Sequence, residues 1–164
     1  MLSSLPLVSQ EHHLRLVHQI DRMPAVADLI GTIPPAELQP KVAEVCRFLV
    51  ELLIPHMEAT EKALYPELER LLQNRHSMTG MKREHTDIRR RVAELERLEI
   101  DLGGGRFTTG QTVELRRAFF HLYGLLKVHV AEEQLYLKIL EHGVSAEAAD
   151  AIATAMEHTG IGDF

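Results

Sequence analysis

The chain has 164 residues, 45% of them apolar, which is enough for one domain with a substantial core and too apolar for a disordered chain. A formal net charge of −6 with no long basic run argues against nucleic acid as the main partner. The single cysteine, Cys46, excludes an internal disulfide, and no stretch approaches the ~20 apolar residues of a membrane span.

The N-terminus lacks the basic and apolar regions of a secretory signal, so a cytoplasmic protein is expected. Ten histidines against three tyrosines form the one compositional oddity, and they point to metal or proton chemistry. Ser9 caps a predicted first helix that runs to about Gly31, with Glu11 in its first turn. His13, Leu16, Val17 and Ile20 share one face at helical spacing, so His13 is expected to point inward, while His12 falls toward Arg15 and Gln19. Pro24 should kink or interrupt this helix. Thr32 to Pro40 holds three prolines and reads as a connector.

A long second helix is predicted from roughly Lys41 to Gln73. In it, His56 takes a place in the apolar stripe of Leu49, Leu52, Ala63 and Leu64. Pro55 and Pro66 each remove a backbone donor, and a bend is expected near His56. The third helix spans about Met81 to Leu102, or starts at Met78, with the stripe Met78, Met81, His85, Ile88, Val92 and Leu95. Gly103 to Gly105 end it. Thr108 and Gln111, at capping-box spacing, start a fourth helix that runs to about Glu141 through Leu122, Leu126, His129, Glu133, Leu137 and Leu140. Ser145 starts a short fifth helix to about His158. The expected fold is all-α, a single domain over residues 1–164: an up-down-up-down four-helix bundle with a short fifth C-terminal helix.

One inward histidine is ordinarily a packed core residue. Here each main helix carries one: His13, His56, His85 and His129. His13 to His56 spans 43 residues and His85 to His129 spans 44, as if a helix pair were written twice. Such a bundle brings the four positions to similar depth. Imidazoles converging in an apolar interior would repel as cations and go unsatisfied as neutral donors, and a bound metal resolves both problems. Glu133, four residues after His129, adds an oxygen donor. Imidazole with carboxylate suits iron, and also manganese or zinc.

Four stretches carry a resemblance: E-H-H at His13, H-M-E-A-T-E-K-A-L-Y-P from His56, R-E-H at His85 and K-V-H-V-A-E-E-Q-L-Y around His129. Their order resembles that of the hemerythrin-like, HHE cation-binding family. The resemblance implies a four-helix bundle holding a non-haem, usually di-iron, centre. It also implies binding of oxygen, sensing of oxygen, iron or nitric oxide, detoxification of peroxide, or help in repairing iron centres. The metal-holding residues it implies are His13, His56, Glu61, His85, His129 and Glu133.

The departures are specific. The family places a glutamate four residues after each motif histidine; after His129 this is Glu133, but after His56 it is Thr60. Glu61 lies about 140° around a regular helix from His56 and Glu58 about 200°, so neither shares its face unless a local bulge, helped by Pro66, brings Glu61 in. In the second motif Glu132 is the reserve to Glu133. Met81 stands where the oxygen-carrying members have a fifth histidine, which implies a site poorer in protein ligands, with one metal or two. Tyr65 and Tyr136 follow the two motifs as hydrogen-bond donors to the site or as core filling. His121 reads as exposed or packing, and Cys46 as a buried small hydrophobe.

Three functional readings, from different classes, are compatible with these residues. The first is a non-haem iron protein that binds or senses a small diatomic ligand or iron itself. The second is a peroxide-removing or other redox enzyme on the same site. The third is a metal-free helical interaction module whose histidines pack or respond to pH.

Overall fold

In a computed structural model of the chain, residues 5–105, 107–143, 145, 147–148, 151–152 and 154 are described. Among the described residues there is no strand, and the helices form four long rods. The first rod is α1 (Leu5–Leu29), which begins before Ser9 and continues through Pro24. The connector is shorter than its prolines suggested. Gly31, at φ +83°, takes the left-handed conformation that ends α1, and α2 (Pro35–Phe48) starts with a proline in its first turn. Proline is favoured there because its missing N–H is one the helix leaves unpaired in any case.

The second rod is interrupted in phase. After α2 come a π-helical turn (Leu49–Leu53), α3 (Ile54–Ala59), a second π-helical turn (Thr60–Leu64) and α4 (Tyr65–Leu71). Each widened turn lies just before a proline, Pro55 or Pro66, at the start of the following α segment. Proline cannot donate to the carbonyl four residues back and its ring collides with it. A π turn accommodates both by inserting one extra residue. The bend expected near His56 thus takes the form of two π turns, one on each side of that residue.

The third and fourth rods are α5 (Thr79–Gly103) and α6 (Thr109–Gly143). The start of α6 is a reciprocal capping box: Gln111 N donates to Thr108 Oγ1 at 3.2 Å, and Thr108 N donates to Gln111 Oε1 at 3.0 Å. The rods exchange contacts in reverse chain order. Asp21 meets Lys127 while His13 approaches Glu133; Arg97 meets Glu114 while His85 meets His129; Gln39 meets Glu99 while Glu69 meets Lys82. The expected fifth helix lies largely outside the described residues. Of that region, Ile152 is buried against Leu137, Leu140 and Leu68.

The buried apolar residues form two blocks. The larger includes Leu16, Ile20, Leu53, Met57, Ile88, Phe119, Leu126 and Val130, and the smaller Leu64, Tyr65, Leu68, Met78, Met81, Leu137 and Leu140. His85 falls between Met81 of the smaller block and Ile88 of the larger, and Glu133 between Val130 and Leu137, while His13, His56 and His129 adjoin residues of the larger block. Among the described residues these buried polar side chains form a layer near the boundary of the two blocks.

Candidate metal centre

His13, His56, His85, His129 and Glu133 are each no more than 3% exposed. They come from all four rods, as the inward stripes predicted. Glu133 Oε2 accepts from His56 Nε2 at 3.0 Å and lies 4.0 Å from His13 Nδ1. Across the layer, His85 Nε2 is 3.0 Å from His129 Nε2, with ring centroids 4.7 Å apart. Among the described residues no three histidine, cysteine or carboxylate groups surround one common point; the donors meet in pairs.

The outer nitrogen of His85, Nδ1, faces Glu61 Oε1 at 2.7 Å, and the outer nitrogen of His129 faces Glu84 Oε2 at 2.8 Å. Burial opposes ionisation of Glu61, but hydrogen bonds from His85 and Arg89 and the Arg89 charge hold its carboxyl below the usual range. An ionised carboxylate only accepts, so His85 Nδ1 carries the proton. In the neutral ring the proton is then absent from Nε2. Burial, and then the facing His129, push His85 down to about 4, so the neutral ring is the stable form. The bare Nε2 of His85 thus lies 3.0 Å from His129 Nε2 and 3.1 Å from the Tyr65 hydroxyl.

Glu133 adds a second unresolved charge. Burial resists its ionisation, but His56, by charge and hydrogen bond, then His129 and His13 hold the carboxyl at about 2. Its Oε1 is buried and has no hydrogen-bond partner. Burial lowers the pKa of His13 more strongly than Glu133 and a backbone hydrogen bond to Val130 raise it. A buried anionic oxygen with an open lone pair, among buried imidazoles, is a donor set short of a cation. The donor types suit iron, manganese or zinc, so the residues present fit a metal.

The remaining sequence expectations separate clearly. Glu133 faces the layer, whereas its reserve Glu132 is half-buried. Thr60, in the place of the family's other glutamate, is fully buried and donates to Met57 O at 2.9 Å. Glu58 is exposed. The second π turn does carry Glu61 toward the site, as a bulge should, but onto the outer nitrogen of His85, where it also pairs with Arg89 at 3.1 Å. In this arrangement Glu61 supports a donor instead of being one. The same turn places the fully buried Tyr65 with its hydroxyl 3.1 Å from His85 Nε2. Tyr136 is half-buried against the smaller block, and His18, His76 and His121 are exposed.

Glu84 and Arg89 were missed because they belong to the polar face of α5, which reads as a solvated surface. The adjacency of Glu84 to His85 was the available signal, though its partner turned out to be His129 on α6.

The family model described as Hemerythrin HHE cation binding domain matches residues 9–133, a span that contains all four histidines and ends on Glu133. No curated protein and no solved structure matches the chain.

Proposed function

Because the chain belongs to the hemerythrin HHE cation-binding domain family, we propose that it holds non-haem iron inside the bundle and there binds or senses a small ligand, oxygen or nitric oxide, or iron itself. The observation that carries this reading is the approach of His85 Nε2 and His129 Nε2 to 3.0 Å, with both outer nitrogens facing carboxylates. A cation is what makes that arrangement favourable.

His13, His56 and Glu133 would hold metal on one side of the layer, and His85 and His129 on the other. This division supports two iron ions over one. Iron in such a site supplies a coordination position open to a small ligand and a one-electron change of oxidation state. The chain's own residues supply the rest. Glu61 and Glu84 orient two of the imidazoles, and the apolar blocks exclude water. Thr60 in place of a carboxylate leaves fewer protein donors and more room for an exogenous ligand. The same openness supports the second reading, turnover of hydrogen peroxide.

We place the protein in the cytoplasm, acting without a nucleic-acid partner. Among the described residues no helix is long and apolar enough to cross a membrane.

The test is iron per chain in purified protein, with the visible spectrum recorded in air before and after chelation. Bound iron with a charge-transfer band that chelation removes is the expected result. Peroxide consumption that disappears in His85→Ala moves the assignment to the enzyme. A colourless, metal-free protein whose unfolding midpoint ignores chelators sinks both and leaves a helical interaction module.

A further inference from the structure

We propose that Tyr65 is itself a ligand of the metal, its phenolic oxygen replacing the carboxylate that Thr60 cannot supply. This rests on the metal-binding reading above. Tyr65 lies nine residues after His56, which on an uninterrupted α-helix is about 180° away, on the outer face of the rod. The π turn Thr60–Leu64 inserts one residue between them and turns Tyr65 back by about 100°, to within about 80° of His56. The bulge thus converts an outward tyrosine into one that is fully buried.

Its hydroxyl does not stop at a backbone carbonyl, the usual partner of a core tyrosine. It sits 3.1 Å from His85 Nε2, the nitrogen that Glu61 leaves open. His85 Nε2 is in turn 3.0 Å from His129 Nε2. Two donors bound at right angles to one cation at about 2.1 Å are about 3.0 Å from each other. Tyr65, His85 and His129 therefore already show two ligand-to-ligand edges of a common ion. Release of the phenol's proton to solvent would free its oxygen to donate to a cation held beside His85 and His129. Thr60 Oγ1 donates to Met57 O and also hydrogen-bonds with the Tyr65 hydroxyl, so it positions the phenol and does not replace it. Tyr136, seven residues after its motif histidine and half-buried against the smaller block, provides the internal comparison.

The chain has three tyrosines, Tyr65, Tyr123 and Tyr136. Resonance Raman and visible spectra of the ferric protein, with iron per chain measured in each sample, test the assignment. The double variant Tyr123→Phe/Tyr136→Phe leaves Tyr65 as the sole tyrosine without touching the site. Phenolate-to-iron(III) vibrations are expected in wild type and in this double variant, and are expected to vanish in Tyr65→Phe, which should also bind iron about ten-fold more weakly. Iron-loaded wild type without phenolate vibrations, or vibrations lost in the double variant, overturns the role of Tyr65 while leaving the metal site standing. Wild type that takes up no iron overturns both.

Discussion

Glu61 Oε1 lies 2.7 Å from His85 Nδ1, on the opposite side of the ring from the nitrogen that faces His129. Glu84 stands in the same relation to His129, at 2.8 Å. Two imidazoles on different rods are thus aimed at each other by carboxylates reaching in from the rim of the bundle, where Glu61 and Glu84 remain about a third and a quarter exposed.

Glu61→Gln and Glu84→Gln should each weaken iron binding by about 10- to 100-fold, because the amide can no longer demand the Nδ1 proton and the ring loses its fixed tautomer. Glu58→Gln, on the exposed face of the same rod as Glu61, should leave affinity unchanged. Competition against a chelator of known affinity measures all three. Equal affinity in wild type and both rim variants would remove the aiming role.

Glu133→Gln should lower both metal affinity and stability. Iron binding should fall by roughly 100-fold or more, since the buried oxygen donor loses its charge. The metal-free fold should lose about 3 kcal/mol at neutral pH, because the carboxylate that His56, His129 and His13 hold at about 2 is replaced by an amide and His56 loses its buried partner. Chemical denaturation in the presence of a chelator gives the second number. Unchanged stability would show that the ionised carboxylate contributes nothing to the metal-free fold.

The metal-free protein should lose stability as pH falls from about 6.5 to about 4. His85 is held down to about 4 by burial and by His129, from an ordinary value of 6.5. Across that window the unfolded chain binds a proton that the folded chain refuses, so stability rises with pH there, by about 3 kcal/mol from this residue. Glu133 works at lower pH. Its folded value of about 2 means that its stabilising contribution is complete above the ordinary carboxylate value of 4.5 and is lost as pH falls toward 2. Denaturant midpoints between pH 4 and 8 check the first window, and His85→Gln should flatten it.

Cys46 is buried, and burial, followed by the nearby Glu99 and Glu96, pushes its thiol up to about 12. A disulfide reagent should therefore label native protein roughly a thousand-fold more slowly than protein in denaturant, because both thiolate and access are lacking. Rapid labelling of native protein would show that this part of the α2–α5 contact opens readily.

Helical periodicity by itself determined the four rods and which histidine of each points inward. Spacing of apolar residues is a local property, and it holds within each uninterrupted helical segment. It also turned Glu133 inward in preference to Glu132, since offset four keeps a side chain on the face of His129. Only the tertiary structure decided the phase of the helix beyond His56. Pro55 and Pro66 signal disturbance, but whether a proline kinks a helix or widens its preceding turn depends on what the flanking segments pack against. A single inserted residue rotates everything after it by about 100°. That phase shift sends Glu61 to the outer nitrogen of His85 and Tyr65 to the inner one. The support from Glu84 and Arg89 was likewise out of reach, because each acts on a residue of another rod, and pairing between rods is set by packing rather than by sequence spacing.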